Sequence, residues 1–208
     1  MQQGGNSCIL SEILSMRNII LTMTPVLFSV TLTAQGVFSN KTQSLLEKVI
    51  QDYPNHFHNI KGELISQGHQ TAEYRSTLQL PGSPSSIVVL TNTKGTMPGE
   101  GYSWTCVVVD SESFGKASER FHEIYGQLSN SIITSSSQKT FILSGQYTSP
   151  EEDKKYTHIV FSLLPGVGDM KRLKVGLSLQ QAAGKWRVLL SVNDRDNPEE
   201  VQGAMTVN

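Results

Sequence analysis

DSESFGKASERFHEIYGQLSNSII, residues 110–133, decides how the chain folds. Its apolar residues are Phe114, Ala117, Phe121, Ile124, Tyr125, Leu128 and Ile132. Apart from the adjacent pair Ile124-Tyr125 they recur every three or four positions, which lines them along one face of a 3.6-residue helix. Asp110, Ser111 and Ser113 are candidate N-caps, because a short side-chain oxygen can accept from the unpaired N–H groups of the first turn. Glu112 suits the positive end of the helix dipole. Gly126 weakens the helix by about 1 kcal/mol relative to alanine, and Ser129-Asn130-Ser131 marks its end. Lys116, Glu119, Arg120 and Glu123 fall mostly off the stripe and read as a solvated back. Strand-like segments lie on both sides, so this helix opens the second half of a chain that runs helix then strands, twice.

Working back from it, residues 102–109 read as a strand with Tyr102, Trp104, Cys106 and Val108 on one face. Residues 86–91 (SIVVLT) are apolar on both faces and read as a central strand. Residues 92–101 form a glycine-rich loop, 81–84 (PGSP) a turn, and 73–80 a partly alternating strand. Residues 63–71 are ambiguous, a short strand and turn. Residues 42–60 give the first helix, with Leu45, Leu46, Val49, Ile50, Tyr53, Phe57 and Ile60 in helical register. Ser44-x-x-Glu47 or Thr42 can cap it. Pro54 should kink or restart it, and Gly62 is a natural stop. Working forward, residues 139–148, 156–164, 173–180 and 185–192 have strand composition. They are joined by the short connections 149–155, 165–171 and 181–184, so neighbours should form antiparallel hairpins.

Strands that cluster after each helix point to an α+β fold: two helices packed on an antiparallel sheet of about seven strands. The apolar rhythms of the two helices can be laid over one another with shifted spacing. That suggests a duplicated helix–strand unit, residues 40–110 and 111–193, within a single domain 36–193 followed by a flexible tail, 194–208.

Residues 1–35 read as an export signal, with translation starting at Met16. Met16-Arg17-Asn18 supplies a short positive region, 19–32 an uncharged and largely apolar run, and Thr33-Ala34-Gln35 small residues for cleavage. This ending resembles signal peptides of Gram-negative bacteria of the Bacteroidetes type, which implies a periplasmic or secreted protein. The apolar run is short for a membrane span of about 20 residues, so no stable span is expected after cleavage. With 17 Lys and Arg against 18 Asp and Glu, the net charge of −1 carries no footprint for nucleic acid or a polybasic membrane anchor. Of the two cysteines, Cys8 and Cys106, the first leaves with the signal. Cys106 is left unpaired in a strand and reads as a buried, inert thiol.

Few residues invite chemistry. His56-Phe57-His58 is the one histidine pair. A metal on a helix wants i, i+3 or i, i+4, so two exposed histidines flanking a core Phe is the plainer reading, with Glu63 and His69 nearby only if the chain folds back. Lys94-Gly95-Thr96 lacks the spacing and the following helix of a phosphate loop. Asp194-Arg-Asp196 lacks the glycine and the remaining ligands of a calcium loop. Residues 151–155 (EEDKK) read as a charged hairpin tip. No Gly-x-Ser-x-Gly elbow occurs, and Cys106 in mid-strand is badly placed for a nucleophile. Trp104 and Trp186 fall on separate strands, as core rings or as the lining of a groove.

The composition and the lack of a catalytic constellation favour an exported, non-enzymatic binding or interaction domain. Its site is expected near Trp104, Trp186, Tyr102 and Lys94. Its ligand is an unknown small molecule, peptide or envelope protein, and no cofactor is expected. One alternative is a metal-dependent or hydrolytic envelope enzyme using His56 and His58. The other is a structural subunit of an envelope assembly, which predicts an exposed apolar patch or an unpaired sheet edge.

Overall fold

A computed structural model describes residues 41–93, 99–129 and 131–194. The stretch 1–35 read as an export signal, Lys94, Asp196 and the rest of 195–208 lie outside the described residues. Two helices, α1 (Lys41–Asp52) and α2 (Phe114–Ser129), accompany nine strands. The first group is β1 (Lys61–Gln67), β2 (Thr71–Ser76), β3 (Ser85–Thr93) and β4 (Gly99–Ser111). After α2 come β5 (Ile132–Thr134), β6 (Thr140–Ser144), β7 (Tyr156–Leu164), β8 (Lys174–Ala182) and β9 (Lys185–Asn193). All pair antiparallel in one sheet of order β1-β2-β3-β4-β9-β8-β7-β6-β5. The sheet is therefore two meanders, each preceded by a helix, whose last strands, β4 and β9, meet at the centre. No described helix is long and apolar enough to cross a membrane.

The α+β class and the antiparallel sheet match the sequence reading, but the sheet has nine strands rather than about seven. The extra two are β1 and β5. Positions 62–67 of β1 are all exposed, so burial imposes no alternation on them. Its pairing with β2 also slips between Lys61 and Leu64 and again between Leu64 and Ser66. Gly62 sits in this irregularity rather than stopping a helix, because a Cβ there would come 2.9 Å from the Arg75 carbonyl oxygen. β5 is only three residues long, too short for a period to show. Ile132 belongs to it and is 54 % exposed, while its neighbour Ile133 is fully buried. The helical stripe thus ends at Leu128.

α1 ends at Asp52 instead of running to 60. The residue before a proline is pushed out of the α region, and Tyr53 stands before Pro54. A single 3₁₀ turn, Tyr53–Asn55, follows. Of the three N-cap candidates Asp110 and Ser111 belong to β4, and Ser113 opens α2: it accepts from the Lys116 N–H through Oγ at 3.4 Å and from the Ala117 N–H through its carbonyl at 3.2 Å.

One core lies between the helices and the sheet face that carries Val88, Trp104, Cys106, Val175, Val188 and Leu190. α2 contributes Ala117, Phe121, Ile124 and Leu128, all fully buried. α1 contributes Leu46, Val49 and Ile50, equally buried. Cys106 is a free thiol inside this core. Burial pushes its pKa up, opposed by hydrogen bonding with Ser83 and the Leu80 backbone, and so keeps it protonated.

The helices knit the two halves together. Gln43, Glu47 and Gln51 stand four residues apart on one stripe of α1 and face the outer edge of β5. Gln43 Nε2 donates to the Ile132 carbonyl at 2.8 Å and Gln51 Nε2 to the Thr134 carbonyl at 2.9 Å. Glu47 accepts from the Thr134 N–H at 2.8 Å. These bonds occupy backbone groups that an edge strand would otherwise offer to another chain. Beyond β9, Asp194 accepts from the Tyr53 hydroxyl at 2.6 Å and from Arg172 at 3.1 Å.

Candidate functional site

The turn after α1 is held by one buried carboxylate. Asp52 is 6 % exposed. It accepts from the backbone N–H groups of Asn59 (3.1 Å) and Ile60 (3.3 Å) and from the side-chain amides of Asn55 (3.1 Å) and Asn59 (2.6 Å). Within this closed turn His56 and Phe57 take left-handed backbone conformations, with φ of 56° and 58°. For residues other than glycine this costs roughly 1–2 kcal/mol each, so the surrounding contacts must hold them there. The conformation drives Phe57 fully into the core and leaves its two neighbours exposed. The His56 ring lies flat on Tyr102 of β4, with centroids 4.1 Å apart and planes 10° from parallel.

Beside this stacked pair is an open cleft of about 430 Å³. Asn55, His56 and His58 form one wall, and Leu90, Thr91 and Tyr102 of the β3–β4 hairpin another. The β1–β2 hairpin closes it with its tip, residues 67–72, which carries Gln67, His69, Gln70 and Ala72, and with Lys61 from the start of β1. The Lys61 ammonium sits 4.5 Å above the Tyr74 ring, a cation–π contact that orients it. Three of the five histidines in the chain meet here, and the described lining contains no carboxylate.

Of the residues singled out from the sequence, Tyr102, His56 and His58 come together in this cleft. Trp104 and Trp186 do not line it. Trp104 is fully enclosed, and its indole N–H donates to Ser76 Oγ at 3.0 Å. Trp186 is 3 % exposed and packs edge-on against Phe114 at 4.9 Å. Both are core rings because the strand positions that carry them face the helices. Glu63 is on β1 and is not part of the described lining. Among the described residues no group of three or more His, Cys, Asp or Glu is placed to hold a metal ion.

Sequence reasoning did not join the hairpin tip to the turn. The one signal was the crowding of His56, His58 and His69 into a short stretch. A second cavity of about 420 Å³ lies against the charged back of α2. There Arg120 and Glu123 already pair with each other at 2.5 Å, and both signs of charge are present.

The cleft offers imidazoles, one ammonium, side-chain amides and hydroxyls around a small apolar floor. This equipment suits recognition by hydrogen bonding and packing. Compared with models of known protein families the sequence matches none, and no curated protein resembles it closely enough to count as a match.

Proposed function

We propose that the protein is an exported, non-enzymatic binding domain that holds a small molecule in the cleft between the turn after α1 and the β1–β2 hairpin. The observation that carries this reading is the convergence of His56, His58 and Tyr102 on a cleft whose volume of about 430 Å³ is that of a small-molecule site. The strained backbone at His56 supports it, since such strain clusters where a side chain must be aimed. Export to the periplasm or outside the cell rests on the signal-like residues 1–35. The topology of two helix-led meanders meeting at β4 and β9 supports a duplicated helix–strand unit as the origin of the scaffold.

Native mass spectrometry of the full chain from its own cells, beside an Ala72→Trp variant that fills the cleft, tests the binding reading. The wild type should carry a mass excess that denaturation removes, and the variant should not. The same excess on both proteins places the ligand elsewhere, and a bare wild type removes the ground for a retained ligand.

A second reading, a structural subunit of an envelope assembly, is favoured by one observation. Ile132, Ile142 and Leu164 are aligned across β5, β6 and β7. They are 54 %, 55 % and 49 % exposed, forming an apolar row of the kind that marks protein contacts. If that row is an interface, Ile142→Lys should convert a multimeric mass into that of the single chain.

A further inference from the structure

We infer that the cleft takes a small organic anion, an apolar or aromatic body bearing one carboxylate or phosphate group. This rests on the binding reading above and adds to it the charge class of the ligand.

No carboxylate is present among the described lining residues, while Lys61 and the imidazoles of His56, His58 and His69 converge on the space. A cationic ligand there would meet an ammonium with no counter-charge among the described lining residues. Inside a partly enclosed site such a like-charge contact is felt far more strongly than in bulk water. An anion meets the ammonium directly. It also meets N–H groups that imidazole and amide side chains can turn towards it, and hydrogen bonds to an ionised group are the strong ones. Gln67 and Gln70 flank His69 at the hairpin tip, so amide donors reach the same region.

The body of the ligand follows from the floor. Leu90 and Ala72 are apolar, and the stacked pair of His56 on Tyr102 presents a flat π surface already assembled at 4.1 Å. A bare inorganic ion would leave this surface uncovered, whereas a planar or aliphatic group would cover it. The volume of about 430 Å³ suits a metabolite-sized molecule and leaves no room for a folded partner. The donors sit on the turn, at the hairpin tip and, for Lys61, at the start of β1, while the apolar floor belongs to β2, β3 and β4. The ligand therefore lies with its body on the sheet and its charged end towards the β1–β2 hairpin.

The test is a titration of the full chain with four probes of one shape: benzoate, phenyl phosphate, benzylammonium and benzyl alcohol. It is followed through the imidazole NMR signals of His56, His58 and His69. Benzoate or phenyl phosphate should shift these signals with saturation and bind at least tenfold tighter than benzyl alcohol, and benzylammonium should not bind. Comparison of the two anions separates a carboxylate site from a phosphate site. Lys61→Met keeps an unbranched side chain and removes the ammonium that sits over Tyr74, and His69→Gln keeps an N–H donor and removes the imidazole. Lys61→Met should weaken the anions several-fold and leave benzyl alcohol unchanged, and His69→Gln should have a smaller effect of the same sign. If benzylammonium or benzyl alcohol binds the cleft as tightly as the anions, the charge class is overturned while the binding cleft stands. If no probe shifts any of the three imidazoles, both the charge class and the cleft as a binding site fall.

Discussion

At Asp52 one carboxylate closes the turn on which the cleft depends. It is buried, and it satisfies the N–H groups of Asn59 and Ile60 as well as two asparagine amides. Asp52→Ala leaves those backbone donors without a partner next to the core, and should cost about 2–4 kcal/mol in urea unfolding. A loss below about 1 kcal/mol would show that water replaces the carboxylate. The sequence displays an Asp followed by a Tyr-Pro pair and two asparagines, but nothing in their spacing says that they close on one another. That is why Pro54 reads as a kink in a longer helix when it in fact follows the helix end. The β8–β9 hairpin offers a gain in the opposite direction. Its two loop residues, Ala183 and Gly184, have φ of 50° and 77°, the pattern of a type I′ turn, in which Asn-Gly is the favoured pair. Ala183 is strained there, so Ala183→Asn should raise stability by about 0.5–1 kcal/mol in the same assay. An unchanged or lower midpoint would contradict this account of the turn.

Among the elements, α1 serves two surfaces at once. Leu46, Val49 and Ile50 bury themselves in the core, and the stripe of Gln43, Glu47 and Gln51 closes the edge of β5. The apolar stripe was legible from its period. The polar stripe was not, because glutamine and glutamate at i, i+4, i+8 look like any solvated helix back until an edge strand is set beside them. β5 was hidden for the same reason: three residues carry no period, and their pairing partner on the outer side is a helix. Glu47→Ala with Gln51→Ala should therefore act locally. Amide exchange at Thr134 should speed up at least tenfold, while the amides of β8 and β9 keep their protection. Unchanged exchange at Thr134 would mean that the bonds to α1 do not hold that edge.

For the whole molecule, the arrangement of the halves decides how it unfolds. β4 and β9 pair along most of their length, Trp104 facing Val192 and Cys106 facing Leu190. α1, from the first half, is bonded to β5 of the second. Neither half keeps a closed core without the other, so a single cooperative transition is expected. Trp104 and Trp186 report one half each, and both are buried. In Trp186→Phe and in Trp104→Phe, the fluorescence of the remaining ring should follow far-UV circular dichroism through the same midpoint. Separate midpoints would show that the halves melt independently. At this scale the helix–strand order was readable from the sequence, because clusters of hairpins after each helix leave little other choice. The central seam was not, since no local pattern says that the last strand of each cluster will find the other. The cleft was readable only in part for a related reason: the turn, the hairpin tip and Tyr102 are brought together by the sheet.

The proposal that the cleft binds a small molecule can be tested by hydrogen exchange. The full chain from its own cells would be compared with the same chain unfolded in guanidinium, dialysed and refolded in buffer. A bound ligand should protect amides in the turn at 55–58 and the hairpin tip at 67–72, and refolding without ligand should release that protection there and leave the core strands unchanged. Identical exchange at those two segments before and after would contradict the account.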